Sequence, residues 1–296
     1  MTIQSMKKNK SLPNFIGIGV MKSATTWISQ CLREHPQIFM SEIKEIHFFS
    51  HKYENGLDWY LQHFQKAENH TAIGEFSVSY FDNSLYIDRI NSDLGNIKIL
   101  INLRDPISRF ISHLKHLYRV ENIDKDLLKN RIDMEFFDYI TQKFPSLLQK
   151  GLYFDMIMAC EKKFSSKNIM ITTKEDIDEN PKAVLSSIYK FLNVDSNFEP
   201  KKLRQNVSIG IIPKYIFLEK FRVKIYRISK RYFPRIILFF RKHRLGEIYR
   251  YLNNNKTEII LDRDVYLKLK EFYSNDVQSI QEYMNINTSN WLSNEK

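Results

Sequence analysis

The chain has 296 residues, of which 43% are hydrophobic, and its 45 Lys and Arg against 34 Asp and Glu give a formal net charge of +11. This length and apolar content predict one globular domain with a large core and exclude a disordered or low-complexity protein. Only Cys31 and Cys160 are present, so no disulfide framework is expected and a reducing compartment suits the chain.

A strand followed by an anion-binding turn is predicted near the N-terminus. The apolar segment 15–20 runs directly into a polar turn and then into a helical pattern that begins near Thr25. Backbone N–H groups at a helix N-terminus lack intrahelical partners and lie at the positive end of the helix dipole, so they bind phosphate. The candidate phosphate contacts are Lys22, Ser23, Ala24, Thr25, Thr26 and Trp27.

The nucleoside-triphosphate P-loop is the competing interpretation of this turn. That motif requires Gly immediately before the Lys and another Gly five residues earlier. Met21 and Ile16 occupy those positions. A Walker-type loop is therefore disfavoured, and a kinase-like P-loop nucleotide-binding protein is kept as the alternative function.

A second strand, loop and helix are predicted around residue 104. The segment 98–103 is a short run rich in branched apolar residues, as in a buried strand, and it is followed by Arg104. Pro106 is typical of the first turn of a helix, where its missing N–H is not needed. The rigid fork of an Arg suits a phosphate because it can donate two parallel hydrogen bonds.

These segments resemble the sulfotransferases that use 3′-phosphoadenosine 5′-phosphosulfate (PAPS). In that family the first turn holds the 5′-phosphosulfate, and the second loop holds the 3′-phosphate through an Arg and a Ser eight residues later, the positions of Arg104 and Ser112. The segment 44–49, Lys-Glu-Ile-His-Phe-Phe, is similar to the glycan-type enzymes that act on heparan sulfate. Further matching segments follow in order. The resemblance covers about residues 15–194, and a second, weaker region of similarity lies at 262–291. The later matching segments are 74–81, 151–153, 174–177, 180–181 and 191–194.

The resemblance implies a P-loop-like, three-layer α/β/α fold with a central parallel sheet, and PAPS as donor with PAP as product. Glu45 matches the proposed catalytic base of the family, and His47, two residues later, is expected on the same face, as in a strand. Lys22 is expected to neutralise charge on the leaving phosphate. His116, one helical turn after Ser112, is a second candidate base, and a surface histidine is the competing interpretation. No metal is expected.

Two departures from the family pattern concern the acceptor and the nucleotide. The heparan-type enzymes have Lys after the Glu that matches Glu75, whereas this chain has Phe76. The Gly- and Lys-rich loop that closes over the nucleotide is not recognisable, although 206–210 and Lys214 stand near its position. Nucleotide closure is therefore left without assigned residues.

Most of the excess positive charge lies in one segment, Lys214–Arg250. It contains twelve Lys or Arg against Glu219 and Glu247, interleaved with aromatic and aliphatic residues. Such a segment predicts a basic helical insertion, at about 211–256, that meets an anionic membrane surface or acceptor, or else a helical cap with a solvated basic face. Nucleic acid is not expected as a partner, because no recognised nucleic-acid-binding motif accompanies the charge.

The whole chain, 1–296, is therefore predicted to be a single sulfotransferase domain with its core at about 14–210 and 257–292. The acceptor is expected to be a glycan or glycolipid that offers a hydroxyl or an amine. Residues 1–12 carry Lys7, Lys8 and Lys10 but no apolar run, so neither a signal peptide nor a membrane anchor is expected. A cytoplasmic location, with peripheral contact at the inner membrane face, is the corresponding prediction.

Overall fold

The computed structural model describes residues 12–120, 131–204, 212–213, 225, 254–255, 258–284 and 286–293. Its strands, numbered in chain order, are β1 (Phe15–Gly19), β2 (Ile38–Met40), β3 (Ala72–Phe76), β4 (Lys98–Leu103), β5 (Arg131–Ile132), β6 (Ile169–Thr173), β7 (Ile212–Pro213), β8 (Asn254–Asn255) and β9 (Ile260–Leu261).

The α-helices of the described residues are α1 (Thr25–Glu34), α2 (Phe48–His51), α3 (Leu57–Leu61), α4 (Ser84–Leu94), α5 (Pro106–Val120), α6 (Met134–Lys143), α7 (Ser146–Gln149), α8 (Phe154–Glu161), α9 (Lys174–Glu179), α10 (Pro181–Leu192) and α11 (Arg263–Met284). Short 3₁₀ turns connect several of them, at Tyr53–Asn55, Gln62–Phe64, Val78–Asp82, Ser166–Asn168 and Lys201–Arg204.

A five-stranded sheet in the order β2-β3-β1-β4-β6 forms the centre of the first compact unit. Every neighbouring pair in this sheet is parallel. The carboxyl ends of parallel strands meet at one edge of a sheet, so the loops that follow β1, β3 and β4 are neighbours there. The prediction of an α/β fold with a central parallel sheet is confirmed.

Alternate residues of the central strands are buried on both faces of this sheet. Phe15, Phe76 and Leu100 join the apolar cluster formed with α1 and α10. The intervening residues Ile16 and Ile99 are also fully buried. Residues of opposite parity along a strand face opposite sides, so both faces are covered, as parallel sheets require.

Phe76 occupies the position at which the heparan-type enzymes have Lys. Its side chain is buried in the core cluster and lies directly over Gly17 of β1. A Cβ atom at residue 17 would stand 2.0 Å from the Phe76 ring, so Gly17 is required for this close approach. Phe76 therefore acts as a core residue.

The chain divides into two compact units. The first comprises residues 1–109, 148–208 and 270–294, and the second comprises 110–147, 209–269 and 295–296. Within the second unit, β5 pairs with β9 in parallel and β7 pairs with β8 in antiparallel register. The predicted division into a core and an insertion at about 211–256 stays a prediction.

The basic segment Lys214–Arg250 lies outside the described residues apart from Ile225. The candidate closing loop at 206–210 also lies outside them. Among the helices that the structure does describe, none is long and apolar enough to span a bilayer.

Candidate functional site

The turn after β1 has the geometry of an anion site. Lys22 and Ala24 both adopt left-handed backbone conformations, with φ of 76° and 68°. Ala24 is the residue that precedes α1, and no side chain caps this helix start. The N–H of Trp27 donates to the carbonyl of Ala24 at 2.9 Å, whereas the N–H groups of Thr25 and Thr26 stand at the helix start, where a ligand or water can accept from them. The phosphate contacts of this turn stay predictions.

The hydroxyl groups of the turn have separate tasks. Ser23 is buried and its Oγ donates to the carbonyl of Val20 at 2.6 Å, so it shapes the turn from within. Thr25 is also buried, whereas Thr26 is exposed. Trp27 packs in the hydrophobic core, and its Nε1 donates to the carbonyl of Lys202 at 3.3 Å. Of these side chains, Thr26 is the one open to solvent, and the tryptophan side chain has a packing role.

Asn102, in the otherwise apolar strand β4, fixes the turn from the neighbouring strand. Its amide Nδ2 donates to the carbonyl of Ser23, and its Oδ1 accepts from Thr172 Oγ1 at 2.6 Å. The carbonyl of Asn102 accepts from the backbone N–H of Val20 at 2.8 Å. Sequence reasoning missed this residue, and the available signal was a buried amide within an apolar run.

Arg104 extends from the end of β4 to the same turn. Its Nη1 donates to the carbonyl of Lys22 at 3.0 Å, and its Nε is buried without a hydrogen-bond partner. Burial lowers the pKa of this guanidinium, with Glu175 the largest opposing influence. A buried, unsatisfied cationic donor is expensive, so an anionic ligand at this point would be stabilised.

Asp105 caps the helix that follows Arg104. Its Oδ2 accepts from Ser108 Oγ at 2.7 Å and from the Ser108 N–H at 3.2 Å, and its Oδ1 accepts from the N–H of Leu292. Helix α5 begins at Pro106, as the sequence predicted. Asp105 therefore stabilises the start of α5, and the guanidinium of Arg104 is directed to the turn after β1.

Glu45 and His47 lie in a turn and not in a strand, which corrects the sequence-based expectation. Both residues are left-handed, with φ of 62° and 58°, on either side of the buried Ile46. The turn brings His47 Nε2 to 3.9 Å from Glu45 Oε2. The proximity expected for the pair is present, but it results from two costly backbone conformations and not from strand periodicity.

The Glu45 carboxylate is held from two sides. Its Oε2 accepts from the N–H of Val78 at 3.0 Å, and its Oε1 accepts from Lys44 Nζ at 2.9 Å. The same Lys44 Nζ donates to Thr26 Oγ1 at 2.9 Å. Lys44 therefore joins the candidate base to the anion-binding helix α1. The sequence placed Lys44 in a matching segment but gave it no role.

His47 is oriented by hydroxyl groups of the segment after β3. Its Nδ1 lies 2.8 Å from Ser79 Oγ, which in turn lies 2.8 Å from Ser50 Oγ. Burial lowers the pKa of this imidazole, while the Glu45 carboxylate partly opposes the shift. A neutral imidazole near pH 7 is the result, with Nε2 on the side of Glu45.

Glu75, at the end of β3, is a fully buried carboxyl group beneath the Glu45 turn. Its Oε1 accepts from Tyr80 OH and its Oε2 from Ser77 Oγ, both at 2.8 Å. Burial raises the pKa of Glu75 to about 7, since desolvation outweighs the two hydroxyl hydrogen bonds. The sequence included Glu75 among matching residues without assigning it a function.

Ser112 and His116 are the remaining candidates. Both lie on the part of α5 that belongs to the second unit, with Ser112 buried and His116 half-buried. They are one turn apart on the same helix, as predicted. Their roles in a nucleotide site stay predictions. Within the described residues, no cluster of three or more His, Cys, Asp or Glu has the arrangement of a metal site.

Comparisons with known proteins find sulfotransferases. The family model for the sulfotransferase domain matches residues 12–260. The membrane-associated sulfotransferase kil1 of Dictyostelium discoideum is 43% identical over 104 residues, which are 34% of this chain and 22% of that protein. Human heparan sulfate glucosamine 3-O-sulfotransferase 3B1 is 25% identical over 274 residues, 90% of this chain and 61% of that protein. The chain thus spans less than two thirds of the length of these curated relatives.

A solved structure shares the fold over nearly the whole chain. The sulfotransferase from Alicyclobacillus acidocaldarius matches with a TM-score of 0.65 and 21% sequence identity, over 95% of this chain and 99% of that one. This likeness confirms the predicted sulfotransferase-like α/β architecture.

The raised pKa of Glu75 predicts a pH-dependent stability. A carboxyl group that binds its proton more tightly when folded stabilises the protein at acid pH, and this contribution is lost as pH rises towards about 7. The free energy of unfolding of the wild type minus that of Glu75→Gln should therefore fall by about 2–3 kcal/mol between pH 5 and pH 8. Urea titrations at both pH values measure this difference.

The titratable groups that face Glu75 are Glu45, Tyr60 and Tyr80. The exposed Glu54, replaced by Gln, is the matched control and should show no such change with pH. A wild-type-minus-Glu75→Gln difference that stays constant from pH 5 to pH 8 would contradict the assignment.

Proposed function

Since the chain belongs to the sulfotransferase domain family, we propose that it transfers a sulfuryl group from PAPS to a hydroxyl or amine of a carbohydrate acceptor. The observation that carries the proposal is the bridge made by Lys44, which hydrogen-bonds both Thr26 of the anion-binding helix and the candidate base Glu45. A group-transfer site needs its donor pocket and its acceptor base within one arrangement, and this bridge provides it.

The described residues fit the phosphate groups of PAPS. The uncapped start of α1 and Lys22 offer N–H groups and a positive charge for the 5′-phosphosulfate. The buried and unsatisfied Nε of Arg104 offers a donor for the 3′-phosphate. When bound, PAPS supplies an activated sulfuryl group with a phosphate as its leaving group.

The roles of the chain's own residues follow from their chemistry. Lys22 stabilises the negative charge that grows on the leaving phosphate. Glu45 takes the proton that the acceptor hydroxyl or amine loses as it attacks. His47, 3.9 Å from Glu45, orients the carboxylate or the acceptor. Lys44, whose Nζ lies 2.9 Å from Glu45 Oε1, fixes the position of the carboxylate.

A carbohydrate acceptor is proposed because heparan sulfate sulfotransferases are among the relatives that match the chain over most of its length. The kinase-like alternative would need a phosphate loop of Walker type. Met21 and Ile16 at the two required glycine positions argue against it.

Arg104→Ala should weaken PAP binding by roughly five- to hundred-fold, about 1–3 kcal/mol, because a charge-assisted contact with the 3′-phosphate is lost. Affinity for adenosine 5′-phosphosulfate, which lacks that phosphate, should hardly change. Calorimetric titration of both ligands without added divalent metal measures the two effects.

Arg131→Ala, which removes an exposed arginine of the second unit, serves as the control and should bind PAP as the wild type does. If Arg104→Ala loses affinity for both ligands to the same extent, Arg104 does not bind the 3′-phosphate and instead stabilises the conformation of the turn.

Glu45→Gln should lower turnover by roughly two to four orders of magnitude and leave PAP affinity near the wild-type value, because the amide keeps the shape but accepts no proton. Single-turnover transfer from labelled PAPS measures the chemical step. Glu42→Gln, an exposed carboxylate three residues earlier, is the matched control. Substantial turnover of Glu45→Gln would transfer the role of base to another group, and His116 would be tested next.

We also propose peripheral contact with an anionic membrane through the basic segment Lys214–Arg250, since each Lys or Arg near such a surface contributes about 1 kcal/mol. Replacing Lys230, Arg231, Arg241 and Lys242 with Gln should abolish sedimentation with phosphatidylserine-containing vesicles and leave PAP binding unchanged. Wild-type protein that ignores these vesicles at low salt would show that the segment has no membrane role.

A further inference from the structure

The turn that carries Glu45 and His47 has an unusual anchor. Two successive backbone N–H groups, those of His47 and Phe48, are joined through hydroxyl groups to the single buried carboxylate of Glu75. The N–H of His47 donates to Ser77 Oγ at 3.1 Å, and the N–H of Phe48 donates to Tyr80 OH at 2.9 Å.

The two hydroxyl groups act as relays. Ser77 Oγ accepts from a backbone N–H and donates its own proton to Glu75 Oε2. Tyr80 OH does the same for Glu75 Oε1. Each hydroxyl has a single O–H donor, and in this arrangement that donor is used on Glu75. Both oxygens of residue 75 therefore accept a hydrogen bond, whereas the amide of a glutamine has one oxygen and one N–H₂ group and can accept at only one of the two positions.

The anchored turn also needs such support. Glu45 and His47 both adopt left-handed conformations, which are unfavourable for residues that carry a side chain. Such conformations persist only where surrounding contacts fix them. The side chain of Ile46 between them is buried, and the N–H of Glu45 donates to the carbonyl of Phe76 at 3.0 Å.

We propose that Glu75 is a positioning residue for the transfer reaction: through Ser77 and Tyr80 it fixes the backbone turn that holds the Glu45 carboxylate and the His47 imidazole at the anion-binding turn. This inference rests on the proposed function, in which Glu45 is the base. Glu75 is enclosed beneath the turn and touches neither donor nor acceptor, so it acts through Glu45 and His47 alone.

A variant cycle tests the proposal. Glu75→Gln keeps the size of the side chain but presents an N–H₂ group to one of the two hydroxyls, so one relay is broken. Turnover in Glu75→Gln should fall roughly ten- to hundred-fold with PAP affinity unchanged, as for a loss of positioning at the base. Ser77→Ala and Tyr80→Phe each remove one relay and should each lower turnover several-fold, which keeps the test valid if Glu75→Gln folds poorly.

The decisive comparison is made in the Glu45→Gln background. A residue that acts through Glu45 loses its effect once Glu45 can no longer accept a proton, so Glu75→Gln should change the residual turnover there by less than about two-fold. If the double variant loses turnover by the product of the two single-variant factors, the proposal is overturned. That result would show that Glu75 supports the fold in general.

Backbone hydrogen exchange separates this inference from the proposed function. In Glu75→Gln the amides of His47 and Phe48 should exchange at least ten-fold faster than in the wild type, while those of β1 stay unchanged. Unchanged protection of these two amides would overturn the anchoring role whatever the reaction is. Faster exchange in a protein whose wild type transfers no sulfuryl group would support the anchor and contradict the proposed function alone.

Discussion

The parallel pairing of β3, β1 and β4 is the constraint on which the site depends. Because parallel strands end at one edge of the sheet, three chain segments that are far apart in sequence meet there: the turn at 20–24, the segment 77–80 and Arg104. The turn supplies an uncapped helix start, and Arg104 reaches it from the neighbouring strand. The segment 77–80 receives the turn of Glu45, which no strand of the sheet carries. Strand order therefore brings the binding groups together, and hydrogen bonds to the segment 77–80 add the candidate base.

Charge at this edge is arranged at a cost in stability. Glu75 is fully buried, and burial raises its pKa to about 7, so ionisation at neutral pH opposes folding. A buried ionic group does not by itself stabilise a protein, but it can select one local conformation over its alternatives. Here two N–H groups are joined through hydroxyl groups to one carboxylate, and these contacts hold a backbone turn that is unfavourable by itself. The Glu45 carboxylate is thereby oriented before any substrate binds, which is the kind of preorganisation that group transfer requires.

Local patterns were sufficient to predict the parts of the site that depend on neighbouring residues in sequence. An apolar run followed by Lys22 and hydroxyl residues predicted the strand, turn and helix, and Pro106 marked the start of α5. Long-range contacts could not be predicted in this way. The turn at Glu45 depends on hydrogen bonds to Ser77, Val78 and Tyr80, about thirty residues away, and strand periodicity gave the wrong backbone there.

The side chain of Trp27 shows that a motif position does not by itself define the role of a side chain. Its place in the matching motif suggested a nucleotide contact, which stays a prediction, and its side chain packs in the core on the apolar face of α1. Asn102 and Lys44 were missed because their roles exist only once β4 and the segment 41–47 are folded against the turn. The basic segment Lys214–Arg250 has a clear charge pattern, and its proposed membrane role is tested by vesicle binding.

The most direct test of the account is a paired transfer assay with the wild-type protein. PAPS labelled in its sulfuryl group and ATP labelled in its γ-phosphate are each incubated with the same panel of desulfated and partly sulfated glycans, and label on the acceptor is measured. The account predicts label from PAPS on at least one glycan, with PAP released in equal amount, and none from ATP. Label from ATP, or PAP-dependent binding without transfer to any member of the panel, would contradict it.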